Sequence, residues 1–532
     1  MDSNLNYYVE GSFLETNRLI SYNVLKKDII ENGFCTACGA CEAVCPVTAL
    51  QIENEQVKRL YDCSKSLDLC PICYEICPHS EAFLLRSLEA VSDAPVKNLA
   101  FGYYRRILLA QSNDPKVREK SHDGAVVTIL LTYGLNNKIF DSAIVTQTEK
   151  KSEVKPNPSV ALVTDDILSS IGSKFFPSAV IKSYGDAVSN HGKKAIAVVG
   201  VPCHVLALRK IDSSKHKISG KSKVLIGLFC FGMLSFRQFL SSVEKKYNVS
   251  SSDIKKMHLS KDLMLETKRG VIVVPLSEVK EYILPSCRTC IDFTSELADI
   301  SVGSAYPLKD WSTVVIRTKI GEEFFNDAVL NGIINTRPME QEPEVLEQTI
   351  VTALRKRTAG FVEASKVEKA LGFVPVRLLR ETDSLATVKV EEIMTKDVTT
   401  VPSGMTVSEL LGMIATKPYI GYPVIDEKGE LSGVVTIEEA SMVDKASRWK
   451  TLVGSIARQN VDVCYPGETA LDAFRKMSNQ ETGRIIILDP ENPDNIIGIL
   501  TKRDLMHFLV RQASDSDLSA LNIKSSQEVG CS

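Results

Sequence analysis

The sequence predicts a multidomain protein of mixed α/β and α+β class. It comprises a small cysteine-rich block, a mixed α/β body and a tandem pair of β-α-β-β-α units. Three observations carry that reading. Eight of the 14 cysteines fall between Cys35 and Cys77. Apolar strand candidates alternate with helical stretches over residues 99–375. A pattern beginning at Val390 returns at Val453, an offset of 63 residues.

The length of 532 residues suits three or four domains, at roughly 150 residues each. Lys and Arg number 63 against 66 Asp and Glu, a formal charge of −3, which argues against a nucleic-acid binder working through bulk positive charge. The longest apolar run, Val224 to Phe236, is too short to span a bilayer. The opening MDSNLNYYVEGS lacks the basic patch and apolar core of a signal peptide. The expectation is a cytoplasmic protein with no membrane span.

Along the chain, residues 1–30 form a polar leader with an amphipathic helix expected over Leu19–Ile30. Residues 31–98 hold the cysteine block, too small to build a core without a cofactor. The body covers 99–375, with strands expected at Ile107–Ala110, Ala143–Val145, Ala195–Val199, Val224–Phe229 and Val271–Val274. A polar linker is expected at 376–388, the repeat at 389–447 and 448–511, and a disordered Ser/Asp-rich tail at 512–532. Within the repeat, Val390-x-x-Ile393 returns as Val453-x-x-Ile456, Thr406 as Thr469, Asp426 as Asp489, and Gly433-Val-Val-Thr436 as Gly498-Ile-Leu-Thr501.

In a reducing compartment, clustered cysteines point to metal rather than disulfides. Cys35-x2-Cys38-x2-Cys41-x3-Cys45-Pro46 has the spacing of bacterial two-cluster ferredoxins, and Cys63-x6-Cys70-x2-Cys73-x3-Cys77-Pro78 repeats it with a stretched first gap. A tight turn presents three thiolates to one cubane while the fourth cysteine reaches the other. One [4Fe–4S] cluster then takes Cys35, Cys38, Cys41 and Cys77, the other Cys63, Cys70, Cys73 and Cys45. Zinc also takes four thiolates, but two successive x2-x2-x3-Cys-Pro patterns favour iron–sulfur and a one-electron wire. Four further cysteines lie in the body. Cys203 and Cys230 each follow an apolar strand, and Cys287-x2-Cys290 has metal-ligand spacing. On the residues alone, two buried structural cysteines beside an unrelated CxxC remain an alternative.

The run Cys287-Arg-Thr-Cys290-Ile-Asp-Phe, then Glu296-Leu-Ala-Asp299-Ile-Ser-Val-Gly303-Ser, then Trp311-Ser-Thr-Val-Val-Ile-Arg317-Thr resembles the coenzyme F420 hydrogenase/dehydrogenase beta-subunit family. (The coenzyme is a deazaflavin.) The Gly200-Val-Pro-Cys203 turn and the strand ending at Cys230 are similar to that family's other cluster ligands. Ser121-His-Asp-Gly124-Ala-Val-Val-Thr128 resembles its glycine-rich turn, and Gly172-Ser173-Lys174-Phe a further flavin-side segment. The resemblance runs from about residue 31 to 345. It implies FAD, a third [4Fe–4S] on Cys203, Cys230, Cys287 and Cys290, and deazaflavin as hydride substrate. It places Gly124, Ala125, Thr128, Gly172, Ser173, Lys174, Gly303 and Arg317 on the flavin side, with a surface or sheet-edge ion pair as the other reading of Arg317. The sequence departs from the family pattern at Ala125 (usually Gly), His204 (usually Gln) and Asp310 (usually Gly). His204 reads as a structural hydrogen-bonding group, with proton transfer as the competing role.

The repeat resembles tandem CBS domains, which bind adenosyl nucleotides such as AMP, ADP or ATP. That resemblance places Thr501 and Asp504 on a ribose, and Thr436 with Glu439 in a weaker first cleft. Lys502 and Arg503 are candidate phosphate donors. The competing reading of the pair is a dimerisation module that binds nothing. Cys464 reads as core, and Cys531 carries no evident role.

The combined expectation is an oxidoreductase passing electrons from reduced deazaflavin through FAD and three clusters to a partner protein or ferredoxin. Adenine nucleotide would regulate it, and a homodimer is expected. A flavin suits such a path because it accepts hydride and releases single electrons. Two alternatives stay open: a ferredoxin-dependent reductase of an organic substrate, and a redox or energy sensor without turnover.

Overall fold

A computed structural model describes residues 22–63, 70–80, 87–98, 100–121, 123–149, 152–259, 262–371, 382–416, 421–459, 461, 463–479, 484–501, 504–505 and 508. The expected tail, residues 1–21 of the leader, residues 376–381 of the linker, Lys502, Arg503 and Cys531 lie outside these. The chain divides into two compact units, the larger running from Leu19 to Val367 and the smaller from Arg380 to Gln512.

The larger unit is built on an eight-stranded sheet. Its strands are β1 (Arg106–Ser112), β2 (Ser142–Glu149), β3 (Ser152–Ala161), β4 (Ile196–Gly200), β5 (Ser222–Leu228), β6 (Ile300–Ser304), β7 (Ser312–Ile316) and β8 (Ile334–Pro338). The spatial order is β8-β1-β7-β6-β5-β4-β2-β3. The run β2-β4-β5-β6 is parallel and the remaining pairs are antiparallel. Strands covered on both faces read as unbroken apolar runs; three of the five predicted strands fall in the parallel run, and a fourth, Ile107–Ala110, is the antiparallel β1. The fifth, Val271–Val274, belongs instead to a separate three-stranded antiparallel sheet of Ile254–Leu259, Leu263–Thr267 and Gly270–Val274. Its outward valines, Val271 and Val273, are exposed.

Helices α1 (Val126–Asn136) and α4 (Lys319–Leu330) cover one face of the large sheet through Leu130, Leu131, Phe324 and Phe325. Helices α2 (Val180–Ser189) and α3 (Pro202–Ser213) cover the other. The cysteine block does not make a core of its own. Cys38, Ala40, Val44, Ile76 and Val91 share one apolar cluster with α2, α3 and the sheet. Its approach to α2 is close. A Cβ on Gly185 would lie 2.8 Å from that of Ala43, and one on Gly39 would lie 2.7 Å from that of Lys182. The expected leader helix is present over Tyr22–Ile30, its last six residues wound as π-helix. A 29-residue helix, α5 (Pro343–Leu371), follows the sheet. Among the described residues no helix is long and apolar enough to cross a membrane.

The smaller unit contains two like three-stranded sheets. Val401–Pro402, Gly421–Ile425 and Leu431–Thr436 form one; Val463–Cys464, Arg484–Leu488 and Ile496–Thr501 form the other. In each, the first strand is parallel to the second and the second antiparallel to the third. The opening segments are exchanged. Thr395 bridges Ile499 of the second copy, and Arg458 bridges Val434 of the first, so the copies are not consecutive in space. Part of the expected linker is a helix, Thr382–Thr387, because Leu385 is fully buried. Cys464 is core, as its Val-rich strand predicts.

The close approach at Gly185 generates a stability prediction. Gly185→Val should destabilise the larger unit by about 1–3 kcal/mol through overpacking, read as a lower urea midpoint with an unchanged m-value.

Candidate redox centre

The first cysteine loop folds back on itself because Ala37 and Gly39 take left-handed backbone conformations, φ 50° and 84°. That turn exposes backbone N–H groups to sulfur: Ala37 N donates to Cys35 Sγ at 3.4 Å, and further on Ala49 N donates to Cys45 Sγ at 3.2 Å. Thr36 Oγ1 and His79 Nε2, 3.2 Å apart, tie this loop to the Cys77-Pro78 turn. Burial pushes the Cys35 thiol up to about 11, with Cys77 adding to it. The Cys38 thiol is raised by burial and then by Cys77, Cys203 and Cys35. Cys41 is raised by burial, then by Cys35, Cys38, Cys77 and, beyond them, Cys73. Four thiols that repel one another as anions are a donor set suited to a cationic centre.

A second group lies beside the first. Burial pushes the Cys73 thiol up to about 12, followed by Cys70, Cys45, Cys63 and Cys77, and Cys70 is raised by burial, then by Cys45 and Cys63. This group is the more open, with Cys45, Cys63 and Cys70 half-buried and only Cys73 buried. Tyr22 of the leader helix sits over the meeting point. Its hydroxyl is raised by burial and by Cys41, Cys73 and Cys63, against the lowering effect of Arg59.

The body cysteines converge at the carboxyl ends of the parallel strands. Strand β4 leads into α3, with Cys203 its second residue, and β5 runs into Cys230. Cys230 is raised by burial, then by Cys287, Cys203 and Cys290. Met233 N donates to Cys287 Sγ at 3.3 Å. Lys356 of α5 donates to the Cys287 carbonyl and lowers the Cys230 and Cys287 thiols. Gly360 lets α5 approach the Cys290 carbonyl, 2.7 Å from where a Cβ would be. Among the described residues, no three His, Cys, Asp or Glu side chains converge closely enough to hold a single ion.

The residues expected on the flavin side divide. Gly124 packs into the sheet, since a Cβ would meet Ala110 O at 2.4 Å. Gly303 makes room for the Phe229 ring, 2.0 Å from its absent Cβ. Arg317 makes no surface or sheet-edge ion pair. It is fully buried and donates to Ser301 Oγ, to the Phe101 and Tyr103 carbonyls, and to the carbonyl and hydroxyl of Thr294. Burial holds its guanidinium down to about 10, with Asp292 opposing. Each of the three thus has a packing or hydrogen-bonding role within the fold. Lys174 donates to the carbonyls of Ser170, Ile171 and Gly172, and burial lowers it to about 8. Gly172 has open space around it, φ 100°. Ser173 follows at this open turn. The turn before α1 keeps a binding character. Ala125 gives the helix no side-chain cap, Ser121 Oγ is buried without a partner, and Thr128 is half-buried in the first turn. An uncapped helix N-terminus with an orphaned hydroxyl suits a phosphate-bearing group. A cleft of about 760 Å³ lined by Leu135, Phe140, Leu162 and Ala195 lies at the opposite, amino ends of β2 and β4.

In the smaller unit the Thr-x-x-acid pairs close on themselves. Thr501 N and Oγ1 both donate to Asp504 Oδ2 at 2.7 Å, and Thr436 N donates to Glu439 Oε2 at 2.8 Å. Thr406 with Glu409 and Thr469 with Asp472 do the same. The pattern is a helix-capping box used four times. The two candidate clefts differ at their second oxygen. Arg458 holds Glu439 at 2.6 and 2.8 Å, whereas its counterpart Thr395 only approaches Asp504, at 3.5 Å.

The family model described as "Coenzyme F420 hydrogenase/dehydrogenase, beta subunit N-term" matches residues 107–184, and its companion for the carboxyl-terminal part of the same beta subunit matches residues 193–342. The coenzyme F420 hydrogenase subunit beta of Methanosarcina barkeri is 35% identical over 245 residues, 45% of this chain and 84% of that protein. The chain belongs to the coenzyme F420 hydrogenase/dehydrogenase beta-subunit family. It also carries CBS domains, matched at 390–442 and 453–511. A coenzyme F420-dependent sulfite reductase of Methanocaldococcus jannaschii is 29% identical over 59% of this chain and 49% of its own length. A chain of the F420-reducing [NiFe] hydrogenase complex of Methanosarcina barkeri superposes with a TM-score of 0.47 at 32% identity, covering 51% of this chain and 96% of that one. The two family matches begin at residue 107, so the cysteine block lies outside their span.

Family membership gives the three departures a physical meaning. Ala125 and Asp310 stand at φ 56° and 64°, the left-handed region where glycine is free of strain. His204 is buried, its Nδ1 accepts from Val201 N at 3.4 Å, and its Nε2 is buried without a hydrogen-bonding partner. Burial holds the ring down to about 4, with the Ser178 backbone opposing.

The Tyr22 and Lys356 contacts carry no signal in the sequence, since each partner is distant along the chain. Ala125 and Arg317 each generate a stability prediction. Ala125→Gly should stabilise the protein by about 0.5–1 kcal/mol, the left-handed strain relieved less the added chain entropy. Arg317→Met should cost about 3 kcal/mol or more by leaving buried carbonyls unpaired, with thermal unfolding as the readout for both.

Proposed function

We propose that the chain is an iron–sulfur flavoprotein that exchanges hydride with a reduced deazaflavin and single electrons with a protein partner. The observation that carries this reading is the grouping of twelve thiols into three neighbouring sets. Cys203 influences Cys38, and Cys73 influences Cys41, so the body set adjoins the first loop's set and that set adjoins the outer one. A bound flavin supplies the exchange between hydride and single electrons, and cubanes store electrons singly. The chain's own residues hold these groups. The N–H groups of Ala37, Ala49 and Met233 point at sulfur, which stabilises negative charge there, and Lys356 adds a positive charge beside the body set. The N-terminus of α1, with Ser121 and Thr128, would take a flavin phosphate. The half-buried Cys63 and Cys70 mark the outlet toward a ferredoxin or other redox protein.

The CBS unit would bind adenine nucleotide at the Asp504 cleft, because Arg458 already neutralises Glu439 in the other. Purified, reconstituted protein should hold ~12 iron atoms per chain if three cubanes are bound. In an anaerobic optical titration, reduced coenzyme F420 should bleach flavin and cluster absorbance while NADH does not. Protein with bound flavin and full iron that fails to bleach would overturn the deazaflavin role.

A further inference from the structure

Helix α3 carries Cys203 at its second residue and Lys210 two turns later. Lys210 is fully buried. Its Nζ donates to the Cys77 carbonyl at 2.6 Å, the Ser80 carbonyl at 2.7 Å and Ser80 Oγ at 3.0 Å. Ser80 Oγ in turn donates to the Cys77 carbonyl at 3.0 Å. A lysine side chain therefore reaches out of the body and closes around the turn that delivers the fourth thiol of the first loop's set. Three oxygen acceptors around one nitrogen match the three protons of an ammonium. Buried ammonium groups are retained where a negative charge nearby offsets their desolvation.

We infer that Lys210 is a positioning residue that fixes Cys77 and raises the reduction potential of the centre held by Cys35, Cys38, Cys41 and Cys77. The inference rests on the proposed cubane at those four cysteines. A tetrathiolate cubane is anionic and gains one more negative charge on reduction. A fixed positive charge a few ångström away favours the reduced form, and in a protein interior that Coulomb attraction is large enough to change an equilibrium by more than tenfold. The set nearest the body would then be the more readily reduced of the two sets in the cysteine block. Since Cys203 heads the same helix, one rigid element ties the body set to the set that takes its electron.

The test is an EPR-monitored potentiometric titration of the full-length, reconstituted holoprotein. Lys210→Gln keeps a donor but removes the charge, and should lower one cluster's reduction equilibrium about tenfold, ~59 mV for one electron. Lys210→Arg should restore it. Ser80→Ala keeps the charge but removes one oxygen of the clamp, and should leave the transition where it is. A purely structural clamp would move Ser80→Ala and Lys210→Gln alike. If Lys210→Gln does not retain its iron, Ser80→Ala decides alone. Native protein without [4Fe–4S] signals would overturn the cluster reading itself. Native protein with three clusters, none of which shifts in iron-replete Lys210→Gln, or a Ser80→Ala shift of about tenfold, would overturn the role of Lys210.

Discussion

Everything in the larger unit is arranged around the docking of a cysteine block, too small for a core of its own, onto α2 and α3. Gly39 and Gly185 remove side chains where the backbones meet, and Ile181 N donates to the Cys38 carbonyl at 2.9 Å. That contact brings a loop of thiols to the face of a sheet whose parallel strands end in further thiols. If the block floated on a tether, its centres would have no fixed distance from the body. With Val44, Ile76 and Val91 sharing one apolar cluster with Ile144, Val198 and Leu225, that distance is set by packing, and packed cores do not deform continuously.

Helix α5 plays the matching part on the far side of the body thiols. It begins where the family match ends, and Lys356 and Gly360 are the residues that reach the Cys287–Cys290 turn. Arg357, buried at the next position, lies 3.9 Å from the buried Glu296. A helix that inserts two adjacent cations into a thiol-rich interior does more than follow the sheet. It supplies positive charge where the fold concentrates groups that become negative.

The grouping of the first eight cysteines was legible because neighbouring thiols at short intervals are a local feature, written in the chain itself. Four of the five strands were legible because burial on both faces leaves only apolar residues. The fifth, Val271–Val274, shows the limit: an apolar run says strand but not which sheet. The packing roles of the glycines were hidden for a related reason. What Gly124 and Gly303 make room for, the Ala110 carbonyl and the Phe229 ring, is distant in sequence. The carbonyl partners of Arg317 at Phe101 and Tyr103 likewise belong to no motif. The repeat was visible in its offset, but the exchange of opening segments between its copies was not, because pairing partners leave no periodicity.

The graded burial of the thiols bears on how the protein would age in air. Dioxygen and peroxide attack exposed sulfur and iron before buried ones, so damage would begin at Cys63 and Cys70 and travel inward. On the electron path proposed above, partly oxidised protein would keep its inner thiol sets while losing the one at the outlet. Such material would still reduce small dyes that diffuse to the interior, yet fall silent toward a protein acceptor. A preparation that looks active by a dye assay could therefore have lost its natural outlet.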